Sequence, residues 1–341
     1  MTREPILDAL DRGDTAALAR AISLVENQRD GYEGVLSHAH GRVGQRGARR
    51  IGITGPPGAG KSTLVERLVQ HFRGQSRTVA VIAVDPTSPF TGGALLGDRI
   101  RMESVSLDPG VYIRSMATRG SLGGLATTTE EVADVLDAFG FERILIETVG
   151  VGQTELDVAA TADSTVLVLV PESGDGIQTL KAGVMEIADV YAVNKSDRPG
   201  AEKLRQEVEV MLGIRRGNAF AHVPAHHSGR PAARPAETDA WAPPVLATVA
   251  VKGEGVAELS DALERHRAFL DASGLLAARR RERLTARTRA VVDRALRRWI
   301  WDDTPAAELL EQAADAMAAG RRSPYDVAAE ILDHAKTGVT R

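Results

Sequence analysis

Residues 51–68 read IGITGPPGAGKSTLVERL: an apolar, β-branched run, then a glycine-rich turn, then an amphipathic pattern. That order is strand, loop and helix, and Gly55 to Ser62 spell G-x-x-x-x-G-K-S, the arrangement that cradles phosphate. Gly55, Gly58 and Gly60, with Pro56, Pro57 and Ala59 between them, let the backbone close around phosphate oxygens. The helix N-terminus adds partial positive charge, Lys61 reaches the β- and γ-phosphates, and Ser62, followed by Thr63 in the first helical turn, offers a hydroxyl to Mg²⁺.

Outward from this loop the chain repeats the same grammar. Nearly continuous apolar runs occur at "TVAVIAVD" to residue 85, "RILIET" at 143–148, "TVLVLVP" at 165–171, "VYAVN" to 194 and "PVLATVAV" at 244–251. Runs with no polar face fit parallel strands covered by helices on both sides. Amphipathic segments such as "TTEEVADVLDAF", "QTLKAGVMEIA" and "EKLRQEVEVML" separate them, so the fold class is α/β, a P-loop NTPase with a mainly parallel sheet. Residues 1–45 read as an N-terminal helical extension, with Asp14 or Thr15 as a helix cap. After about residue 255 strand signals stop, which divides the chain into a core over 46–264 and a C-terminal helical arm over 265–341. In that arm Leu284, Thr288, Val291, Ala295 and Trp299 recur at helical spacing, a stripe that must bury against this chain's other helices or a second copy.

Composition narrows the class further. Of 341 residues 43% are hydrophobic and 26% charged, the balance of an ordinary globular protein. A formal charge of -4 gives no electrostatic footprint for nucleic acid. There is no cysteine, which excludes disulfides and thiolate metal sites, and no apolar run approaches the length of a membrane span. "MTREPILDALDRGD" has acids where a signal peptide needs an apolar core, so a cytoplasmic location is expected, with no membrane association.

The base is read from "YAVNKSD". Guanine presents N1–H and an exocyclic amine as adjacent donors, and one carboxylate at Asp197 accepts both; adenine has an acceptor at N1 and does not match. Asn194 is placed to tie this loop to the phosphate loop, and the Lys195 stem to cover a face of the base. "PVLATVAVKGEG" adds a strand and glycine turn whose N–H groups are candidates for the guanine oxygen, although a simple strand-to-helix connection explains it as well.

Two acids at strand ends, Asp85 and Glu147, point to the carboxyl edge of the sheet, where with Ser62 they are candidate Mg²⁺ ligands, directly or through water. Glu147-Thr148-Val149-Gly150 stands where GTPases usually place D-x-x-G, with the Gly150 N–H ready to sense the γ-phosphate. Val151 follows in place of the usual water-orienting Gln, so slow intrinsic hydrolysis is expected. Asp98 and Arg101 in "VDPTSPFTGGALLGDRIRM" are candidates to complete the site when GTP binds; the alternative is that they are solvated loop charges.

The strings "VIAVDPTSPFTGGALLGDRIRM", "MATRGSLGGLA", "ETVGVGQTE", "GDGIQTLKAG" and "SPYDVAAEIL" closely resemble the MeaB/ArgK family of P-loop GTPases, which includes the methylmalonic aciduria type A proteins of animals. The resemblance implies a SIMIBI-type GTPase, homodimeric through its helical arms, that binds GTP and Mg²⁺ but no cobalamin of its own. It implies a chaperone for an adenosylcobalamin-dependent acyl-CoA mutase, methylmalonyl-CoA mutase being expected, gating cofactor loading and protecting the enzyme. It places Asp85, Asp98 and Arg101 in a first switch, Glu147 in a second and Lys181 in a third, all with Lys61 in the catalytic apparatus. The family has also carried the label of a kinase or ATPase for a basic amino-acid (lysine/arginine/ornithine) transport system, which stands as the alternative.

"HVPAHH" raises a metal reading through His222, His226 and His227, but Pro224 breaks the helix that would align the first two, so an ordinary loop is expected. The arginine run near 279–298 reads as a solvated helix face or a partner contact.

Overall fold

A computed structural model describes residues 3–86, 102–118, 124–148, 154–171, 185–215 and 240–339. The chain divides into two compact units, Met1–Arg281 and Glu282–Arg341. The first holds a seven-stranded sheet in the order β3-β2-β4-β1-β5-β6-β7, every pairing parallel. Its elements are α1 (Arg3–Asp11), α2 (Thr15–Glu26), α3 (Tyr32–His40), β1 (Arg49–Thr54), α4 (Lys61–Gly74), β2 (Val79–Pro86), α5 (Glu103–Ser106), β3 (Val111–Thr118), α6 (Gly124–Phe139), β4 (Arg143–Thr148), α7 (Thr154–Thr161), β5 (Ser164–Leu169), β6 (Val190–Val193), α8 (Ala201–Arg215), β7 (Val245–Ala247), a 3₁₀ turn (Ala250–Lys252) and α9 (Val256–Ala272). The long α10 (Leu275–Asp302) runs through the division, and α11 (Ala306–Ala318) with α12 (Pro324–Val339) completes the second unit.

Strand alternation sorts the core into two layers, because successive side chains leave opposite faces of a sheet. On β2, Val79 and Val81 join Leu64, Leu68 and Phe72 of α4 and Leu259 and Leu263 of α9. Ala80, Ile82 and Val84 face the other way, to Leu18 and Ile22 of α2, Val35 of α3 and Val132 and Leu136 of α6. The N-terminal helices therefore cover one face of the sheet. Of the two candidate caps, Asp14 precedes α2 and accepts from the Ala16 and Ala17 amides at 2.7 and 3.2 Å. The Ala17 and Ala16 amides hold its carboxyl below the usual range.

One strand was not read from the sequence, and one strand expectation needs correction. β3, "VYIRSMAT", gave no apolar run because it is an edge strand, and Arg114 on it reaches Ser23 and Glu26 of the N-terminal helices. The run at 244–251 is not one strand: β7 ends at Ala247, and a Val249–Glu254 bridge and the 3₁₀ turn follow.

At the amino edge of the sheet buried charges meet opposite charges. Arg50 donates to Asp134 at 2.6 Å and to Asp137 at 3.3 Å. Burial opposes the Arg50 charge, but Asp134, Asp163 and Asp137 outweigh it and raise its pKa. Asp163 pairs with Arg280 at 2.7 Å, and Asp189 lies 3.2 Å from His266 Nε2 and 3.4 Å from Arg279. Arg143 reaches Glu264 at 3.0 Å, yet burial and the neighbouring Arg49 and Arg77 push it down to about 10.

In the second unit Ala306, Ala313, Val327 and Ile331 form a small core between α11 and α12. Ser323 and Asp326 exchange hydrogen bonds, Ser323 Oγ accepting from the Asp326 amide at 3.1 Å and Asp326 Oδ2 from the Ser323 amide at 3.4 Å, a reciprocal cap on α12. Leu284, Val291, Val292 and Leu296 of α10 are exposed. Among the described residues no helix is long and apolar enough to cross a membrane.

Candidate nucleotide site

The phosphate loop sits between the end of β1 and the first turn of α4. Gly55 has φ 139, and a Cβ there would lie 2.2 Å from the Val168 carbonyl oxygen, so only glycine lets the loop leave β1 this close to β5. Gly60, at φ 87, starts α4, and a Cβ there would lie 2.5 Å from Asn194 Nδ2. Lys61 is buried and donates from Nζ to the carbonyl oxygens of Gly55 at 2.8 Å and Pro56 at 2.9 Å. Its ammonium is thus held against the loop, at the N-terminus of a 14-residue helix whose dipole favours an anion. Pro56 also accepts from the Ala59 amide at 3.2 Å, Pro57 and Gly58 lie between them, and Thr63 is in the first turn of α4.

Asn194 clasps three segments together. Its Nδ2 donates to the Ala59 carbonyl at 2.8 Å, and its Oδ1 accepts from the Ala250 amide at 3.0 Å and from Thr248 Oγ1 at 3.3 Å. Loop 194–197 is fixed from both ends: the Asn194 amide donates to Leu169 O at 2.7 Å and the Ser196 amide to Thr248 O at 3.0 Å. Lys195 between them takes φ 56, a left-handed conformation uncommon for a side-chain-bearing residue and characteristic of functional loops. Asp197 is exposed, and Lys252 Nζ of the 3₁₀ turn stands 3.5 Å from its Oδ2. The Ala250 N–H, in the turn considered for the guanine oxygen, is engaged by Asn194.

Beside the loop, Ser62 Oγ donates to Glu147 Oε1 at 2.6 Å, the short distance of a charge-assisted bond. Register explains the meeting: Glu147 pairs with Ile53 of β1, one residue before that strand ends. A hydroxyl and a carboxylate in contact are hard oxygen donors, and the pair fits a Mg²⁺ ion that completes its shell with phosphate and water oxygens. When bound, such an ion would neutralise charge on the phosphates. Asp85 lies in β2, one residue beyond Val84, which is in register with Thr148; only its backbone position belongs to the described set. Asp98, Arg101, Gly150 and Lys181 lie outside the described residues, as do His222, His226 and His227.

Sequence reasoning missed two supports. Arg67 of α4 donates to the carbonyls of Ala250 at 3.1 Å and Val251 at 2.8 Å, fixing the 3₁₀ turn to the phosphate-loop helix. Lys252 was in view only as part of a glycine turn, and its approach to Asp197 depends on the bridge that folds 249–254 back.

A parallel sheet, a lysine-bearing phosphate loop and an N-K-x-D loop clasped to it define a P-loop GTPase. The family model "Methylmalonyl Co-A mutase-associated GTPase MeaB" matches residues 18–304, and the chain belongs to that family. A Pyrococcus horikoshii protein named as a GTPase is 46% identical over 289 residues, 85% of each chain. The mouse "Methylmalonic aciduria type A homolog, mitochondrial" is 36% identical over 287 residues, 80% of this chain and 64% of its own. Among solved structures, one titled "Crystal structure of LAO/AO transport system kinase" superposes with TM-score 0.66 over 97% of both chains at 24% identity, a likeness of fold.

Proposed function

We propose that this GTPase is a nucleotide-driven chaperone for an adenosylcobalamin-dependent acyl-CoA mutase, methylmalonyl-CoA mutase first. The observation that carries the nucleotide half is the Asn194 clasp, which holds the base-reading loop against the phosphate loop. In this reading Gly55 to Thr63 hold the triphosphate, Lys61 the β- and γ-phosphates, Asp197 the guanine edge, and the Lys195 stem one face of the base. Ser62 and Glu147, with Asp85 at the neighbouring strand end, hold Mg²⁺. The association with methylmalonyl-CoA mutase in the family's name supports the partner. Asp98, Arg101, Gly150 and Lys181 act as the segments that respond to the γ-phosphate, and the exposed apolar residues of α10 meet a second copy.

GTP turnover measured alone and with purified methylmalonyl-CoA mutase tests this. Turnover is slow alone, since Val151 replaces the water-orienting glutamine, and rises with mutase. Unchanged turnover at saturating mutase contradicts the chaperone reading and leaves the GTPase assignment standing.

A further inference from the structure

A cavity of about 440 Å³ opens between the end of α1, α3 and the end of α6. Phe139, the last residue of α6, precedes β4 by four positions, so the cavity lies toward the amino edge of the sheet, opposite the phosphate loop. Part of its lining is apolar, with Leu10, Val35, Val135 and Phe139. The rest is charged, and a count of the charges leaves a cationic excess.

Asp11 accepts from Arg42 Nη2 at 2.8 Å and pairs with His38 Nε2 at 2.8 Å. Arg42 Nη1 lies 3.2 Å from His38 Nδ1. A guanidinium only donates, so Nδ1 is the acceptor and Nε2 carries the hydrogen given to Asp11. Asp11 is thus engaged by both neighbours, and its charge and that of Arg42 cancel. Asp137 is taken by Arg50 and by the Gly44 amide, the latter at 3.0 Å. Arg12 and Arg46 remain, and neither makes an ion pair or side-chain hydrogen bond among the described residues. Arg12 also lies in electrostatic range of Asp14, whose carboxylate already caps α2. Room for the Arg46 guanidinium is made by Gly140: a Cβ there would stand 2.5 Å from Nη1 and 2.9 Å from Cζ.

Two guanidinium groups with no ion pair or hydrogen bond among the described residues, an apolar wall and a volume in the range of small-ligand pockets suit one kind of occupant. We propose that this cavity binds a small organic anion, with a carboxylate or phosphate monoester on Arg12 and Arg46 and an apolar group against Val35, Val135 and Phe139. The site is separate from the nucleotide site and does not depend on the chaperone reading.

The test uses the full chain saturated with GDP and Mg²⁺, so that the phosphate loop is filled. Phenyl phosphate and phenylacetate are titrated by calorimetry, with inorganic phosphate and acetate as the anions lacking an apolar group. At least one aromatic anion is expected to bind saturably at one site per chain, about tenfold or more tighter than its inorganic or methyl counterpart. Arg12→Ala and Arg46→Ala each weaken that binding about tenfold or more, while GDP affinity is unchanged. Both side chains are exposed, so the variants fold, and the GDP titration verifies it. No saturable binding of either aromatic anion, binding that survives both substitutions, or equal binding of inorganic phosphate overturns the proposal.

Discussion

At the amino edge of the sheet Arg50, Asp163 and Arg143 meet opposite charges, whereas at the carboxyl edge Lys61 donates to carbonyl oxygens, Glu147 accepts from a hydroxyl, and Asn194 bridges backbone groups. The two arrangements differ in what it costs to disturb them. Removing one partner of a buried ion pair leaves a charge in low dielectric, about 3–5 kcal/mol, while a hydrogen bond between a charged group and a neutral dipole is worth about 1.5–3 kcal/mol and can be exchanged for a ligand atom. One edge is suited to holding the sheet together, the other to receiving a phosphate chain.

The sharpest way to separate them is to break each in turn. Arg50→Met strands Asp134 and Asp137, and urea unfolding should show a loss of about 3–5 kcal/mol with GTP affinity of the folded protein unchanged. A fall in affinity instead would mean the edges are coupled. Lys61→Ala does the converse: GTP turnover drops about 10²–10³-fold with little change in the nucleotide-free unfolding midpoint. Asn194→Ala falls between, because the clasp serves both stability and site. It leaves the buried Ala250 amide and Ala59 carbonyl without their partner, about 1–3 kcal/mol, and guanine nucleotide affinity should fall with stability.

The smallest effect is at Glu142, on the rim of the amino edge. Burial there raises its carboxyl pKa, but the Arg77 bond and the Thr78 amide prevail and lower it. A carboxyl depressed in the folded state adds stability above its unfolded pKa and loses it as pH falls through the folded value. Arg77→Met should therefore reduce stability near neutral pH and flatten the acid limb of the stability curve, by no more than about 1 kcal/mol for so exposed a pair.

The interior strands were legible in the sequence because burial on both faces confines polar residues to the strand ends: β1, β4 and β5 are nearly continuous apolar runs between them. β3 was illegible for the complementary reason, since an edge strand tolerates Tyr112, Arg114 and Ser115. At the site, the phosphate loop and N-K-S-D were readable because each is a local string with its own geometry. The amino-edge pairs were not, since Arg50 and Asp134 stand 84 positions apart and Asp163 and Arg280 117 apart, and only the packed sheet brings them together. The meeting of Ser62 with Glu147 lies between these cases: each was a candidate from its strand or helix end, and the register of β1 on β4 makes them touch.

The account rests on the carboxyl edge being a guanine-nucleotide site read by Asp197, and base exchange probes it most directly. Xanthine keeps N1–H but carries a carbonyl where guanine has its amine, so an asparagine amide at position 197 would donate to that carbonyl and accept from N1–H. Competition of GTP, XTP and ATP against a fluorescent nucleotide should show wild-type protein preferring GTP and Asp197→Asn preferring XTP. Equal GTP preference in both proteins would contradict the assignment of that loop, and with it the reading of this edge.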